Sequence, residues 1–229
     1  MSLNPIRWGG VAAMMGGVLG IVLTPPATFA FWLANPNQTG LPEYPDMPWA
    51  QLTEPLVTPF LGFGTYEEVY ATYGKVFFLV YLLFLIGLAS LRARVGEHLG
   101  RSGKRGFKLA FIGLAMNLVG NVGDYWLGEK VLGQPLWGIS FTIGTLLGTL
   151  VYIVGSVILG RAILRTSALP CWGGWTLIIA PTLGSVVGLL FVIHLPSAVV
   201  LPVGLGWMLI GYVLWSGRGA SAWQTAHMR

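Results

Sequence analysis

Long apolar runs dominate this chain and restrict what it can fold into. A helix needs about 20 mostly apolar residues to cross the hydrocarbon core of a bilayer, and six such runs are present, at about 8–31, 74–91, 109–127, 136–164, 175–193 and 197–215. Only 9% of the residues are charged and the mean hydropathy is +0.72, whereas soluble domains carry roughly 25% charged residues. The sequence therefore predicts an all-α protein, a polytopic transmembrane helical bundle that forms a single integral membrane domain over residues 1–229.

The two ends of this span assignment each have an alternative. The last two runs are separated only by HLPSA at 194–198, where Pro196 lacks a backbone donor and predicts a helix boundary. Because that hairpin is very tight, five spans with one re-entrant segment is the alternative. The first run has one basic residue and small residues around 27–30, as a signal peptide does. Because it continues through FAFWL at 29–33, we expect a retained first helix.

Basic residues are distributed unequally between the two sides of the six spans. With the N-terminus in the cytoplasm, only Lys75 and Lys130 fall outside. The cytoplasmic basic residues are then Arg7, Arg92, Arg94, Arg101, Lys104, Arg105, Lys108, Arg161, Arg165, Arg218 and Arg229. Cytoplasmic loops carry an excess of Lys and Arg, so we predict that both termini are cytoplasmic, in a bacterial inner (cytoplasmic) membrane. The net charge of +5 is thus a topology signal, and nucleic acid is not an expected partner.

The segment at 32–73, between the first two spans, predicts a long structured outer loop. It holds six prolines and many aromatic residues, and disordered linkers rarely carry so many aromatic residues. The stretch at 48–64, PWAQLTEPLVTPFLGFG, is a candidate interfacial helix. Thr65 is a candidate N-cap for the next helix, with Glu67 and Glu68 in its first turn, where the helix dipole favours negative charge.

Small residues recur at intervals of four in several spans. Lipid tails are as apolar as leucine side chains, so helices in a bilayer associate through close contact, which small residues permit. We expect Gly144 and Gly148 in the fourth span, and Gly184 and Gly188 in the fifth, to lie at helix–helix contacts inside the bundle. The alternative is that one glycine face docks another membrane subunit or a second copy of the chain.

A polar stripe interrupts the third span. Asn117, Asn121 and Asp124 are spaced i, i+4 and i+7, so they share one face of a helix. An aspartate at the centre of a bilayer costs about 2.5–3.5 kcal/mol on insertion scales, and less near the interface. Unpartnered amides in hydrocarbon add to this cost. We therefore expect the stripe to face the bundle interior.

Two interpretations of this stripe remain open. In the structural interpretation, the amides hydrogen-bond to neighbouring helices, and Asp124 reaches water or pairs with Lys75 or Lys130. In the functional interpretation, the stripe lines an outward-opening pocket together with Glu67 and Glu68. Carboxylates gathered there would bind a cation, relay protons or act as acid and base.

The sequence lacks the patterns of several cofactor and catalytic classes. Cys171 is the single cysteine, so neither an intrachain disulfide nor a cysteine-based metal cluster can form within one chain. The histidines at 98, 194 and 227 lie far apart, which argues against a bis-histidine haem. P-loop, HExxH and GxSxG patterns are absent. We predict no metal and no cofactor.

Three functional classes are compatible with these features. The favoured one is a non-catalytic accessory subunit, or a binder of lipid or another hydrophobic small molecule, with membrane lipids as partners. The second is a small transporter or channel, which needs a continuous polar path, whereas the stripe covers only the outer half of its span. The third is a membrane-embedded enzyme that acts on a lipid or isoprenoid at the outer face through Asp124 with Glu67 or Glu68.

The predicted topology is tested by reporter fusions. A reporter inserted after residue 40 and one fused to the C-terminus are expected to report opposite sides of the membrane. Six spans with a cytoplasmic N-terminus place residue 40 outside and the C-terminus inside. The measurement is reporter activity in a host that distinguishes the two compartments. Two fusions on the same side would contradict the topology.

Overall fold

The fold is all-α in the computed structural model, which describes residues 4–34, 50–166, 169–187 and 195–217. The helices are α1 (Pro5–Ala34), α2 (Ala50–Val57), α3 (Tyr66–Val95), α4 (Arg101–Asn121), α5 (Gly128–Leu132), α6 (Gln134–Ile139), α7 (Gly148–Leu164), α8 (Cys171–Val187) and α9 (Leu195–Ser216). A 3-10 turn at Thr58–Phe60 follows α2. Two π-helical segments complete the architecture: the first, Val122–Leu127, joins α4 to α5, and the second, Ser140–Leu147, joins α6 to α7.

Several of these helices are long and apolar enough to cross a membrane. Within the described residues there are five such stretches: Pro5–Ala34, Tyr66–Val95, Arg101–Leu132, Gln134–Leu164 and Val199–Ser216. The protein is therefore an integral membrane protein. The 17 residues of α8 are also apolar. They end at Val187, and the next described residue is Leu195, so a sixth full span stays a prediction.

Six helices form a closed ring in the part of the chain that the structure describes. In order around the ring, α1 packs on α3, α3 on α4, α4 on α7, α7 on α8, α8 on α9, and α9 returns to α1. The centre of the ring is apolar. Phe84 and Trp207 stack there with ring centroids 5.7 Å apart, and the Trp207 Nε1–H donates to the Tyr152 hydroxyl oxygen at 3.1 Å.

Basic residues from distant parts of the chain gather at one end of this ring. The Arg92 guanidinium, near the end of α3, lies 4.7 Å from the centroid of the Phe107 ring near the start of α4. Arg94 donates from Nη2 to the Gly217 carbonyl beyond α9, at 3.4 Å. Ala162, near the end of α7, lies beside Gly103 near the start of α4. Arg161, in the last turn of α7, is therefore at the same end of the ring. The side of the membrane that this end faces stays a prediction.

The connection between the first two spans is shorter than the predicted loop at 32–73. The first helix runs on to residue 34 and α3 begins at Tyr66; residues 35–49 lie outside the described part. Inside the connection, the candidate interfacial stretch forms α2 and the 3-10 turn. The predicted N-cap is present: the Glu68 N–H donates to the Thr65 hydroxyl at 3.3 Å, and the Thr65 N–H donates to Glu68 Oε2 at 2.9 Å. This reciprocal pair is a capping box, which satisfies two backbone donors at the helix start.

Close backbone contact between α4 and the helix opposite depends on glycine. A Cβ added at Gly113 would lie 2.6 Å from the Gly148 carbonyl oxygen, and one added at Gly120 would lie 2.8 Å from the Gly144 Cα. A Cβ at Gly148 would lie 2.9 Å from the Met116 Cβ. Only residues without a side chain permit this close approach. Helices in lipid associate through the van der Waals contact that such an approach allows.

The other predicted packing glycines belong to α8 and the residues beyond it. A Cβ added at Gly184 would collide with the Pro202 ring of α9, so this glycine lies at the α8–α9 contact. Gly188 lies outside the described residues. The glycines of α1 are also occupied within the bundle, since Gly10 lies against Gly211 and Gly17 against Gly204 of α9.

Adding a single methyl group tests the α4 contact. Gly144→Ala is expected to lower the free energy of unfolding by about 1–3 kcal/mol, because the new Cβ meets backbone atoms that no rotamer change can move. The measurement is thermal unfolding of the purified protein in detergent.

The matched control is Gly138→Ala, six residues earlier in α6. A Cβ at Gly138 would meet nothing within 4 Å, and alanine has the higher helix propensity, so stability is expected to be unchanged or slightly higher. Equal effects of the two substitutions would contradict the close contact between Gly120 and Gly144.

Candidate functional site

The polar stripe of the third span faces the interior of the bundle. Asn117 and Asn121 are each only 3% exposed, and Asp124 is half-buried. The two asparagines end α4, whereas Asp124 lies in the first π-helical segment. We use the term polar cluster for these three residues and their partners Ser140, Thr145 and Thr149.

Asn117 lies deepest in the polar cluster and joins α4 to α7. Its Nδ2–H donates to the Gly113 carbonyl at 2.8 Å, and the Thr149 hydroxyl donates to its Oδ1 at 2.9 Å. Its polar groups are therefore occupied by protein partners. A small cavity borders Asn117, Thr149 and Tyr81, and the rest of its lining is mostly apolar.

Asn121 joins α4 to α3. Its Nδ2–H donates to the Gly74 carbonyl at 2.8 Å, but its Oδ1 is buried with no hydrogen-bond partner. Gly74 is required at that position, because a Cβ there would overlap the Tyr125 ring. The absence of a side chain at Gly74 thus lets α3 approach α4 closely enough for the Gly74 carbonyl to accept a hydrogen bond from the Asn121 amide.

Asp124 has a threonine as its partner and not a lysine. The Thr145 hydroxyl donates to Asp124 Oδ2 at 2.7 Å, and Asp124 Oδ1 is buried with no hydrogen-bond partner. Lys75 and Lys130, the cations expected from the sequence, are exposed. Neither of them hydrogen-bonds to the carboxylate.

The two π-helical segments meet at the polar cluster. The first carries Asp124, and the second carries Ser140 and Thr145, and the two segments are in contact. A π-helix is rare, occurs mostly as a single wide turn inside an α-helix, and is frequent at functional sites. Beside Asp124, the hydroxyl groups of Tyr125 and Tyr70 are 2.7 Å apart in a hydrogen bond.

The other residues of the predicted outward-opening pocket do not join the polar cluster. Glu67, Glu68 and Lys75 are all exposed, and Glu68 is engaged in the cap of its own helix. These residues lie in the first three turns of α3, whose buried positions are Val69 and Gly74. The structure therefore brings Asn117, Asn121 and Asp124 together without the glutamates or a lysine.

The sequence analysis missed the hydroxyl partners on the facing helix. Thr145 and Thr149 are four residues apart, so they share one helix face, and this repeat was the available signal. Hydroxyl groups in spanning helices often hydrogen-bond to the backbone of their own helix. Their spacing alone therefore does not show that they face another span.

A second feature is an apolar groove on the membrane-facing surface beside the polar cluster. It has a volume of about 450 Å³, within the range of about 300–1,000 Å³ for ligand pockets. It runs along the contact between α4 and the second π-helical segment. We call it the lateral groove; its lining is Phe111, Ile112, Ala115, Met116, Val119, Gly120, Ile139, Ser140, Ile143 and Gly144.

The described residues hold no group of three or more His, Cys, Asp or Glu side chains that could hold a metal ion. Comparison with known proteins finds no matching family model, no matching curated protein and no matching solved structure. The function proposed for this chain therefore rests on the geometry of the polar cluster and the lateral groove.

Proposed function

We propose that the protein is a non-catalytic membrane protein that binds a lipid or another hydrophobic small molecule in the lateral groove. The observation that carries this proposal is the lining of the groove. Ser140 is its one polar side chain, and that hydroxyl is directed to the Gly120 carbonyl at 3.4 Å. An apolar chain fits such a surface, because it leaves no polar group unpartnered.

The position of the lateral groove supports the same occupant. Val119 and Ile143, on its two walls, are 70% and 51% exposed, and both belong to stretches long and apolar enough to cross a membrane. A groove on this surface would be filled from the lipid phase. Gly120 and Gly144, which meet across the helix contact, both line it.

The interior supports a binder over a transporter or channel. Continuing along α4 from Asn117 toward the basic end, the buried positions other than glycine are Leu114, Ala110 and Phe107. At the centre of the ring, Phe84 and Trp207 are stacked and buried. Conduction of a polar solute needs a continuous polar path, and the described residues provide polar groups in only one half of the third span.

The arrangement of acids supports a binder over an enzyme. General acid–base catalysis on a lipid at this surface would need a second group positioned beside the first. Asp124 is the one carboxylate of the polar cluster, whereas Glu67 and Glu68 are on the exposed surface of α3. The lateral groove itself is lined by no ionisable side chain.

The use of the glycines favours ligand binding over an accessory-subunit role. The face of small residues that was the alternative candidate for docking a partner is occupied within the bundle at Gly144, Gly148 and Gly184. Membrane lipids are thus the partners we propose. The basic end of the ring would face the cytoplasm, as the positive-inside rule predicts, most simply in a bacterial inner membrane, with both termini on that side.

Filling the lateral groove tests this function. Ala115 lines the groove and is half-buried, so Ala115→Trp is expected to occupy the space of the bound chain. Native mass spectrometry of protein extracted in detergent with added dioleoyl phosphatidylglycerol should then show loss of at least one retained lipid per chain relative to the unsubstituted protein.

The matched control is Ala89→Trp, on the exposed surface of α3, outside the groove. It adds the same side chain to a spanning helix and is expected to leave lipid retention unchanged. The proposal would be contradicted if both substitutions changed retention equally, or if neither did while both proteins remained folded.

A further inference from the structure

Two oxygen acceptors of the polar cluster are buried without a donor. Asn121 Oδ1 and Asp124 Oδ1 each lack a hydrogen-bond partner, and Asn121 is 97% buried. The other polar atom of each side chain is already engaged, with Gly74 and with Thr145. Rotating the Asn121 amide by half a turn does not resolve this, because its carbonyl would then face the Gly74 carbonyl.

Within the described ranges, the Asp124 carboxyl also has no ion-pair partner. The described groups that face it are the tyrosine hydroxyls of α3 and of its own segment, Tyr70, Tyr81 and Tyr125. The second π-helical segment, packed against it, contains no ionisable residue. In α5, Glu129 and Lys130 are exposed. Among the described residues, the Asp124 carboxyl with its unpartnered oxygen is therefore surrounded by neutral groups.

A buried charge in a low-dielectric setting is stable only when it is paired or coordinated. The oxygen atoms near the Asp124 carboxyl are hard donors: the hydroxyl groups of Ser140 and Thr145 interact with it. Asn121 precedes Asp124 by three residues, and side chains three residues apart share a helix face. Intramembrane acids of this kind mark cation and proton sites in many membrane proteins. Irregular helix turns near the midplane coordinate Na⁺ or protons in transporters.

We propose that Asp124 Oδ1 and Asn121 Oδ1 bind one small monovalent cation, a proton or Na⁺, where the two π-helical segments meet. One positive charge neutralises the single carboxylate, whereas a divalent ion would leave an excess charge in the bundle. As a proton, the ligand forms an O–H bond on Asp124 that donates to the Asn121 carbonyl. As Na⁺, it is held by the same two oxygens together with a neighbouring hydroxyl. Because Asp124 is half-buried, the ion can enter from the bundle surface.

The cation ligands differ from the groove lining. Asp124 and Asn121 are not among the residues that line the lateral groove, and Ser140 is the one residue near both. Each proposal has its own variants and its own measurement, so each can fail without the other.

Thermal unfolding of the full chain in detergent tests the site, with NaCl compared with choline chloride at equal ionic strength and at about pH 5 and about pH 8. If Na⁺ is the ligand, NaCl raises Tm by at least about 2 °C over choline chloride at the higher pH. If the proton is the ligand, the folded chain holds it and the unfolded chain releases it. Stability is then highest at low pH and is lost as pH rises, with no difference between the two salts.

The variants assign the response to the site. Asp124→Asn removes the charge and is expected to abolish the Na⁺ or pH response. Glu129→Gln, an exposed acid close by in α5, is the matched control and is expected to retain it. Asn121→Ala keeps the charge and is expected to weaken apparent affinity about tenfold through loss of one ligand. It also provides the test if Asp124→Asn does not fold.

Two results would overturn the proposal. One is an unsubstituted protein whose Tm is the same in both salts and at both pH values. The other is a response that Asp124→Asn and Asn121→Ala share fully with Glu129→Gln, because the cation would then act elsewhere on the chain.

Discussion

Close approach of backbones across lipid is the constraint on which the rest of this structure depends. Between spanning helices there is no hydrophobic driving force, so association comes from van der Waals contact and from hydrogen bonds. Helix α4 meets the second π-helical segment and α7 through Gly113, Gly120, Gly144 and Gly148. Gly148 lies directly beside Asn117. The close approach of the helices therefore also brings the Thr149 hydroxyl within hydrogen-bonding distance of the Asn117 side chain.

The polar cluster is a consequence of this packing and also strengthens it. Asn121 binds the backbone of α3, Asn117 binds Thr149 of α7, and Asp124 binds Thr145 of the second π-helical segment. One face of the third span is thus hydrogen-bonded to α3 on one side and to the second π-helical segment and α7 on the other. Such bonds contribute roughly 0.6 kcal/mol each on average in membrane proteins, so the cluster orients the helices more than it stabilises them.

The two sides of the α4 contact have different chemistry. Toward the ring interior lie the carboxylate and amide oxygens that lack donors, and toward the lipid lies a surface almost without polar groups. The Gly120–Gly144 contact separates these sides by little more than backbone. A π-helical segment is wider than an α-helix, and both segments lie at the level where the polar cluster and the lateral groove meet.

Much of the architecture was predictable from local patterns. The apolar runs predicted the spanning helices, the Thr65–Glu68 spacing predicted the start of α3, and the i, i+4, i+7 spacing predicted that Asn117, Asn121 and Asp124 share a face. These features depend on helix periodicity and on the cost of polar groups in lipid, which act on neighbouring residues. The cost of leaving two amides and a carboxyl without partners in hydrocarbon also predicted that the stripe faces the bundle interior.

The partners of the stripe were decided only by the tertiary structure. Asp124 is bound by Thr145, 21 positions away, and Asn121 by the Gly74 backbone, 47 positions away, and helix rotation and register determine both contacts. The expected lysine partners are exposed because charged side chains on α3 and α5 reach water at lower cost than the bundle interior. The sequence by itself determined that a membrane-spanning helical bundle would bury a polar stripe. Which donors the stripe meets, and which of its oxygens remain without one, followed from the packing of helices far apart in the chain.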